Sequence, residues 1–150
     1  MSLQNQIDKD IKQAMLAKEK DKLVALRAIK SALLLAKTEK GSAELSDEAE
    51  LKLLQKLVKQ RKESAEIYQQ QGRNDLADKE LDEAKIIENY LPEPMSDDEL
   101  TGFIKVIIDE VGASTMADMG KVMGIANKEL AGKAEGKAIA DKVKVLLGNK

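Results

Sequence analysis

Ninety-one residues precede the first proline, and the only two prolines, Pro92 and Pro94, then fall within the four-residue stretch Leu91-Pro92-Glu93-Pro94. A proline interrupts a helix and pushes the residue before it toward extended backbone. A chain that concentrates both breakers at one place is free to be helical everywhere else, and must change direction there. The expectation is therefore an all-α protein of two helical domains: an N-terminal helical bundle or hairpin domain over residues 1–92 and a C-terminal three-helix domain over residues 95–150.

Apolar periodicity and caps mark seven helices. The first is expected from Leu3 to Lys18, with Leu3, Ile7, Ile11 and Ala14 on one face. The second, Lys20 to Thr38, is apolar over most of its circumference, which predicts a central position. Lys40-Gly41-Ser42 breaks the chain. Ser46 caps a third helix that ends at Gly72, and Asp47 and Glu48 suit its positive end. Asn74 is expected to cap a fourth that runs to Tyr90. Ser96-Asp97-Asp98-Glu99 reads as a capping box opening a fifth, with Leu100, Phe103, Ile104, Ile107 and Val111 inward and Gly112 at its end. Thr115 is expected to cap a sixth, with Met116, Met119, Met123, Ala126 and Leu130 in one stripe. The seventh runs from Gly136 to Leu147.

Composition then narrows the chemistry. Apolar residues make up 43% and charged residues 35%, the balance of a helical globular chain. The longest apolar run, Ala32 to Ala36, is too short to cross a bilayer, and the first residues do not read as a secretory leader. With no cysteine there is no disulfide or thiolate metal site, and a cytoplasmic location is expected. Histidine is absent too, which removes the usual general base and the Ser-His-Asp and Cys-His nucleophile systems. One Phe, two Tyr and no Trp disfavour recognition of single strands by base stacking. The net charge of −2 is unevenly spread. Residues 1–73 carry 15 basic against 11 acidic side chains, residues 74–112 carry 3 against 12, and residues 113–150 carry 7 against 4.

Two constellations stand out. On the third helix Arg61 falls on the apolar seam, and on the fourth Glu80 does the same with Glu83 close by. A hairpin at Gly72-Arg73-Asn74 would bring Arg61 within a turn of either carboxylate, and a structural buried ion pair is the expected result. The second is Met119 to Lys137, where Gly120-Lys121, Gly132-Lys133 and Gly136-Lys137 place three Gly-Lys pairs in under twenty residues. Glycine costs a helix interior about 1 kcal/mol, so close approach of a backbone or a ligand is implied. The spacing does not make a phosphate loop of the Gly-x-x-x-x-Gly-Lys-Ser/Thr kind, because Asn127 or Ala131 stands at the first position and Ala134 or Ala138 at the last. Gly132 and Gly136 read as helix stop and restart.

Asp118-Met119-Gly120-Lys121-Val122-Met123-Gly124, Gly132-Lys133-Ala134-Glu135-Gly136-Lys137 and Val143-Lys144 resemble the YqeY family and the C-terminal tail domain of GatB, the B subunit of glutamine-dependent tRNA amidotransferase. The N-terminal half resembles YqeY as well, through Leu26-Arg27-Ala28-Ile29-Lys30, Lys59 to Ser64, Gly72 to Ala77 with Glu80, and Tyr90-Leu91-Pro92. Glu135, where the family commonly has Asp, and Ala138-Ile139-Ala140 depart from the pattern. The resemblance implies a two-domain helical fold, a tail domain that reaches tRNA, and an inherited label of carbon–nitrogen ligase with glutamine as amido donor. The substrate-activating domain and the serine–lysine amidase are not in this chain, so no catalytic residue, metal or cofactor is expected. The expected function is a non-catalytic, tRNA-linked adaptor. Lys121, Lys133 and Lys137, extended by Lys128 and Lys144, would meet phosphates, while Gly120, Gly124, Gly132 and Gly136 let the RNA backbone approach. A protein partner in tRNA charging or translation is compatible with this, and no membrane partner is expected. The alternative is a protein–protein interaction module without RNA binding, and a stand-alone enzyme ranks last.

Overall fold

A computed structural model of the protein describes residues 2–41 and 44–148. Among them are seven α-helices and no strand: α1 (Leu3–Leu16), α2 (Lys20–Glu39), α3 (Asp47–Gln70), α4 (Asn74–Glu88), α5 (Asp97–Val111), α6 (Met119–Glu129) and α7 (Gly136–Gly148), with a 3-10 turn at Met116–Asp118 before α6. The protein is all-α. The helices gather into two compact units, Met1–Leu91 and Pro92–Lys150.

In the first unit α3 and α4 form a long hairpin, and α2 packs against α1, α3 and α4. Its core holds Ile7 and Ala14 from α1, Ala25, Leu26, Ile29 and Leu33 from α2, Leu54 and Val58 from α3, and Ala84 and Ile87 from α4. Serine hydroxyls start α1 and α3 by accepting from amides three residues on, Ser2 Oγ from Asn5 at 3.2 Å and Ser46 Oγ from Ala49 at 3.1 Å. Left-handed glycines end α2 and α3, Gly41 at φ +69° and Gly72 at φ +73°. Ser42, the last residue of the expected break, lies outside the described residues.

Four local expectations change. α1 ends at Leu16 rather than Lys18, because Lys18 itself adopts φ +58°. A left-handed lysine is not signalled by composition, since glycine or asparagine usually takes that place. Asn74 is the first residue of α4 and not its cap. Arg73 holds the capping position without a side-chain cap, and its guanidinium instead grips Asp75 through Nε at 3.2 Å and a second nitrogen at 3.1 Å. That exposed pair raises the Arg73 pKa and lowers that of Asp75, chiefly through the hydrogen bond between them. α2 is not central. It buries one face, while Val24, Leu34 and Leu35 on its other side are exposed.

The fourth change is at Thr115, which precedes the 3-10 turn rather than α6 itself. There the Asp118 carboxylate accepts the amides of Ser114 at 2.9 Å and Thr115 at 3.3 Å. Those two amides hold the Asp118 pKa below the ordinary carboxylate value, with Lys121 adding a smaller effect.

The end of α4 is tied to α1 by polar contacts. Tyr90 donates its hydroxyl proton to Asp10, and the Gln6 amide donates to both oxygens of Asp10, at 3.1 and 3.2 Å. Burial first, then the bond to Asp10 and its charge, push the Tyr90 phenol above its usual range. A group whose folded pKa is raised contributes stability that is complete below its unfolded pKa, about 10 for tyrosine, and is lost as pH climbs through the folded value. Tyr90→Phe should therefore cost about 1–2 kcal/mol near neutrality and remove a fall in stability that the parent shows above about pH 10. Urea titrations at neutral and alkaline pH check both.

In the second unit α5, α6 and α7 pack mutually. Leu100, Ile104, Ile107 and Ile108 of α5 meet Val122, Ala126 and Leu130 on the α6 side and Ile139, Val143 and Leu147 of α7. Ser96 caps α5 by accepting from the Glu99 amide at 3.1 Å and donating to the Glu99 carboxylate at 3.0 Å. Gly112 closes the helix in the left-handed region at φ +68°. The methionine stripe is only a border: Met119 and Met123 flank the core and Met116 is exposed.

Candidate nucleic-acid interface

An α-helix turns about 100° per residue. On α6 that rotation places Gly120, Gly124, Lys128 and Lys121 within about 100° of arc, and all four are exposed. Val122 and Ala126 point the opposite way and are fully buried. The outer face of α6 is thus a strip without side chains at positions 120 and 124, bordered by two ammonium groups. A Cβ built on either glycine meets nothing within 4 Å. Among the described residues of this unit no side chain or backbone uses the space these glycines leave, so packing within the unit does not account for them.

On α7 the same rotation puts Lys137 and Lys144 together, seven residues apart and opposite Ile139 and Val143. Both are exposed. Asp141 stands between them at spacings of four and three, which offsets part of their charge. Lys133 is exposed in the turn joining α6 to α7, and its carbonyl accepts the amide of Met95 at 3.0 Å. Lys142 is committed, bridging to Asp97 at 2.8 Å. Gly136 opens α7 with open space around it.

Gly132 differs from the other three. It is buried and sits at φ +81°. Its part in the expected RNA-contacting set is corrected: an external backbone cannot reach it, and its role is to let the chain turn out of α6 where an L side chain would be strained. The amides of Lys133 and Ala134 satisfy the Leu130 carbonyl there, at 2.9 and 3.2 Å. Gly102, in the middle of α5, was not expected. It is exposed with nothing within 4 Å, like Gly120 and Gly124. A glycine inside a run that continues helical on both sides was the signal available.

The other predicted constellation lies in the first unit. Arg61 Nε stands 3.3 Å from a carboxylate oxygen of Glu83, with side chains 15% and 9% exposed. Nε makes no aligned hydrogen bond, so the contact is ionic, and a second guanidinium nitrogen reaches the Leu57 carbonyl at 3.4 Å. Glu80, one turn earlier, is half-buried and is not the partner. Among the described residues no group of three Asp, Glu, His or Cys could hold a metal ion, and no helix is long and apolar enough to cross a membrane.

Comparison with known proteins adds the family. The model of a family described as "Yqey-like protein" matches residues 4–147. A Clavispora lusitaniae protein named "Altered inheritance of mitochondria protein 41, mitochondrial" is 35% identical over 126 residues, covering 81% of this chain and 72% of its own length. Proteins of the same name from Lachancea thermotolerans and Meyerozyma guilliermondii are 34% and 41% identical, over 57% and 58% of this chain. The chain spans about half of their length, 46% and 45%. These names overturn the expected cytoplasmic location. That expectation rested on the absence of cysteine, and a chain without thiols carries no record of the redox compartment it occupies. The family match covers nearly every residue from α1 to α7, and on it this chain belongs to the YqeY-like family.

Proposed function

We propose that the protein is a non-catalytic, tRNA-linked adaptor whose second unit lies against an RNA sugar–phosphate backbone. The observation that carries this reading is the outer face of α6. Gly120 and Gly124 are solvent-facing, nothing fills the space beside them, and Lys121 and Lys128 border them. Gly124, inside α6 with no internal packing partner, is a stability cost of about 1 kcal/mol, while Gly120 in the first turn costs less; close approach from outside is the use that offsets it. Phosphates are the fitting partner for ammonium groups beside a low ridge, and such contacts read shape rather than base edges. The interleaved acids Asp118 and Asp141 keep the field modest, so binding is weak alone and salt-sensitive. The carbon–nitrogen ligase label attached to related amidotransferases is read here as homology and not as an activity of this chain.

Titration of the protein into labelled tRNA at low and moderate salt tests the reading. With three to five phosphate contacts, the logarithm of affinity should fall with that of salt at a slope of about −2 to −4. Lys121→Glu/Lys133→Glu/Lys137→Glu should abolish measurable binding. Gly124→Ala separates the site from the fold: stability should rise by about 0.5–1 kcal/mol while affinity drops several-fold. Absence of binding by the parent at low salt would refute the proposal, and an unchanged affinity in Gly124→Ala would remove the glycine strip from it.

A further inference from the structure

The turn between α1 and α2 is exposed without interruption from Met15 to Lys22. It carries two large apolar side chains, Met15 at 54% and Leu16 at 81% exposure, and Val24 follows one turn into α2. These exposed residues are not part of the core of Ile7, Ala14, Leu26 and Ile29. Helical spacing joins them to cations. Lys9, Lys12 and Leu16 share the outer face of α1, and Lys20, Val24 and Arg27 share the outer face of α2. Lys18 stands between, its backbone at φ +58°.

Most acids of this region already have partners. Asp8 bridges to Lys30 at 2.8 Å, Asp10 receives Tyr90 and Gln6, and Glu19 lies 3.6 Å from Lys22. Lys9, Lys12, Lys18, Lys20 and Arg27 have no ion-pair partner among the described residues, and Asp21 is the one nearby acid in the same condition.

We propose that this turn docks on the surface of an anionic lipid bilayer. Met15 and Leu16 enter the boundary between headgroups and acyl chains, and the surrounding cations meet the lipid phosphates. A bare cation cluster would fit any polyanion. Two large apolar side chains exposed at the end of α1 add nothing to a phosphate contact, but they are the part a bilayer interface accepts. A turn whose residues are exposed throughout offers no groove for a peptide. The contact is interfacial, and so differs from the spanning segment whose absence led to the expectation of no membrane partner.

The chain has no tryptophan, so Leu16→Trp supplies a single reporter at the point of contact. Its emission should shift to the blue with vesicles of phosphatidylcholine containing about one third phosphatidylserine, and not with phosphatidylcholine alone. In co-sedimentation, Met15→Ser/Leu16→Ser should lower binding to the anionic vesicles about tenfold or more. Lys12→Glu/Lys20→Glu should lower it by at least about fivefold for each position. All four positions are exposed, so the helical circular dichroism should be unchanged. No binding to anionic vesicles at low salt overturns the proposal, as does equal binding to neutral ones. Loss in the lysine variant with full retention in Met15→Ser/Leu16→Ser also overturns it, in favour of a nucleic-acid surface.

Discussion

Arg61→Ala should lower the unfolding free energy of the first unit by about 3–5 kcal/mol, read as a fall in the urea midpoint with little change in slope. The magnitude follows from what is left behind. Glu83 is buried, and its ion-pair partner across the hairpin is the Arg61 guanidinium at 3.3 Å. Truncating Arg61 leaves a carboxylate in an apolar seam with neither its ion pair nor full hydration. The surroundings cannot readily compensate. Beyond the pair, toward the Gly72 turn, α3 and α4 bury only Ala65 and Ala77, and neither belongs to the main cluster of the unit. Glu83→Ala should cost a similar amount by stranding the cation, softened where Arg61 can turn toward the Leu57 carbonyl. Arg61→Met/Glu83→Leu should recover most of the loss, because a buried pair replaced by apolar groups of like volume is often close to neutral. A cost below about 1 kcal/mol for Arg61→Ala would mean that the pair behaves as a solvated surface bridge. tRNA affinity should be unchanged in all three variants, since these residues belong to the other unit.

How far the fold was readable can be judged from the same hairpin. Placing Arg61 on a seam required only the 3.6-residue period, and the period held because Leu54, Val58 and Ala65 repeat it without a break. Choosing between Glu80 and Glu83 required the rotation of α4, which the sequence leaves open: Ala77, Ala84 and Ile87 are satisfied by a range of rotations that brings either acid inward. The exposed side of α2 was missed for another reason. Leu23, Leu26, Ile29 and Leu33 look like one side of an all-round apolar helix because Val24, Leu34 and Leu35 are apolar as well. Composition cannot distinguish an exposed apolar face from a buried one. Caps were legible where serine led the helix, at Ser46 and Ser96, and misread at Asn74, where the neighbouring Arg73–Asp75 pair took over. In the candidate interface the four glycines look alike as letters. Backbone dihedrals separate Gly132, a buried left-handed turn, from Gly120 and Gly124, which lie in regular helix facing solvent. That distinction decides which of them a ligand can touch.

Ile104→Ala should bring the second unit close to its unfolding threshold. Ile104 is fully buried at the centre of α5, among Leu100, Ile107, Ile108 and residues of α6 and α7. Removing its three outer carbons forfeits their transfer energy and leaves a cavity, together about 2–5 kcal/mol. A unit of about 60 residues has a typical total of only about 3–9 kcal/mol, so most of it is at stake. Backbone amides of α5, α6 and α7 should then exchange with solvent orders of magnitude faster than in the parent. Ile104→Val, which loses one methylene, should cost only about 0.5–1.5 kcal/mol and leave exchange nearly as slow. The variant also sharpens the RNA test. If only a fraction of molecules hold α6 folded, apparent affinity falls by that fraction even though no contact is lost, and bound tRNA should restore part of the amide protection. Lys121→Glu/Lys133→Glu/Lys137→Glu changes exposed positions, so it should lose binding while exchange stays slow. Equal protection in Ile104→Ala and the parent would mean that the α5 seam does not hold this core together, and the outer face of α6 would lose the support that orients it.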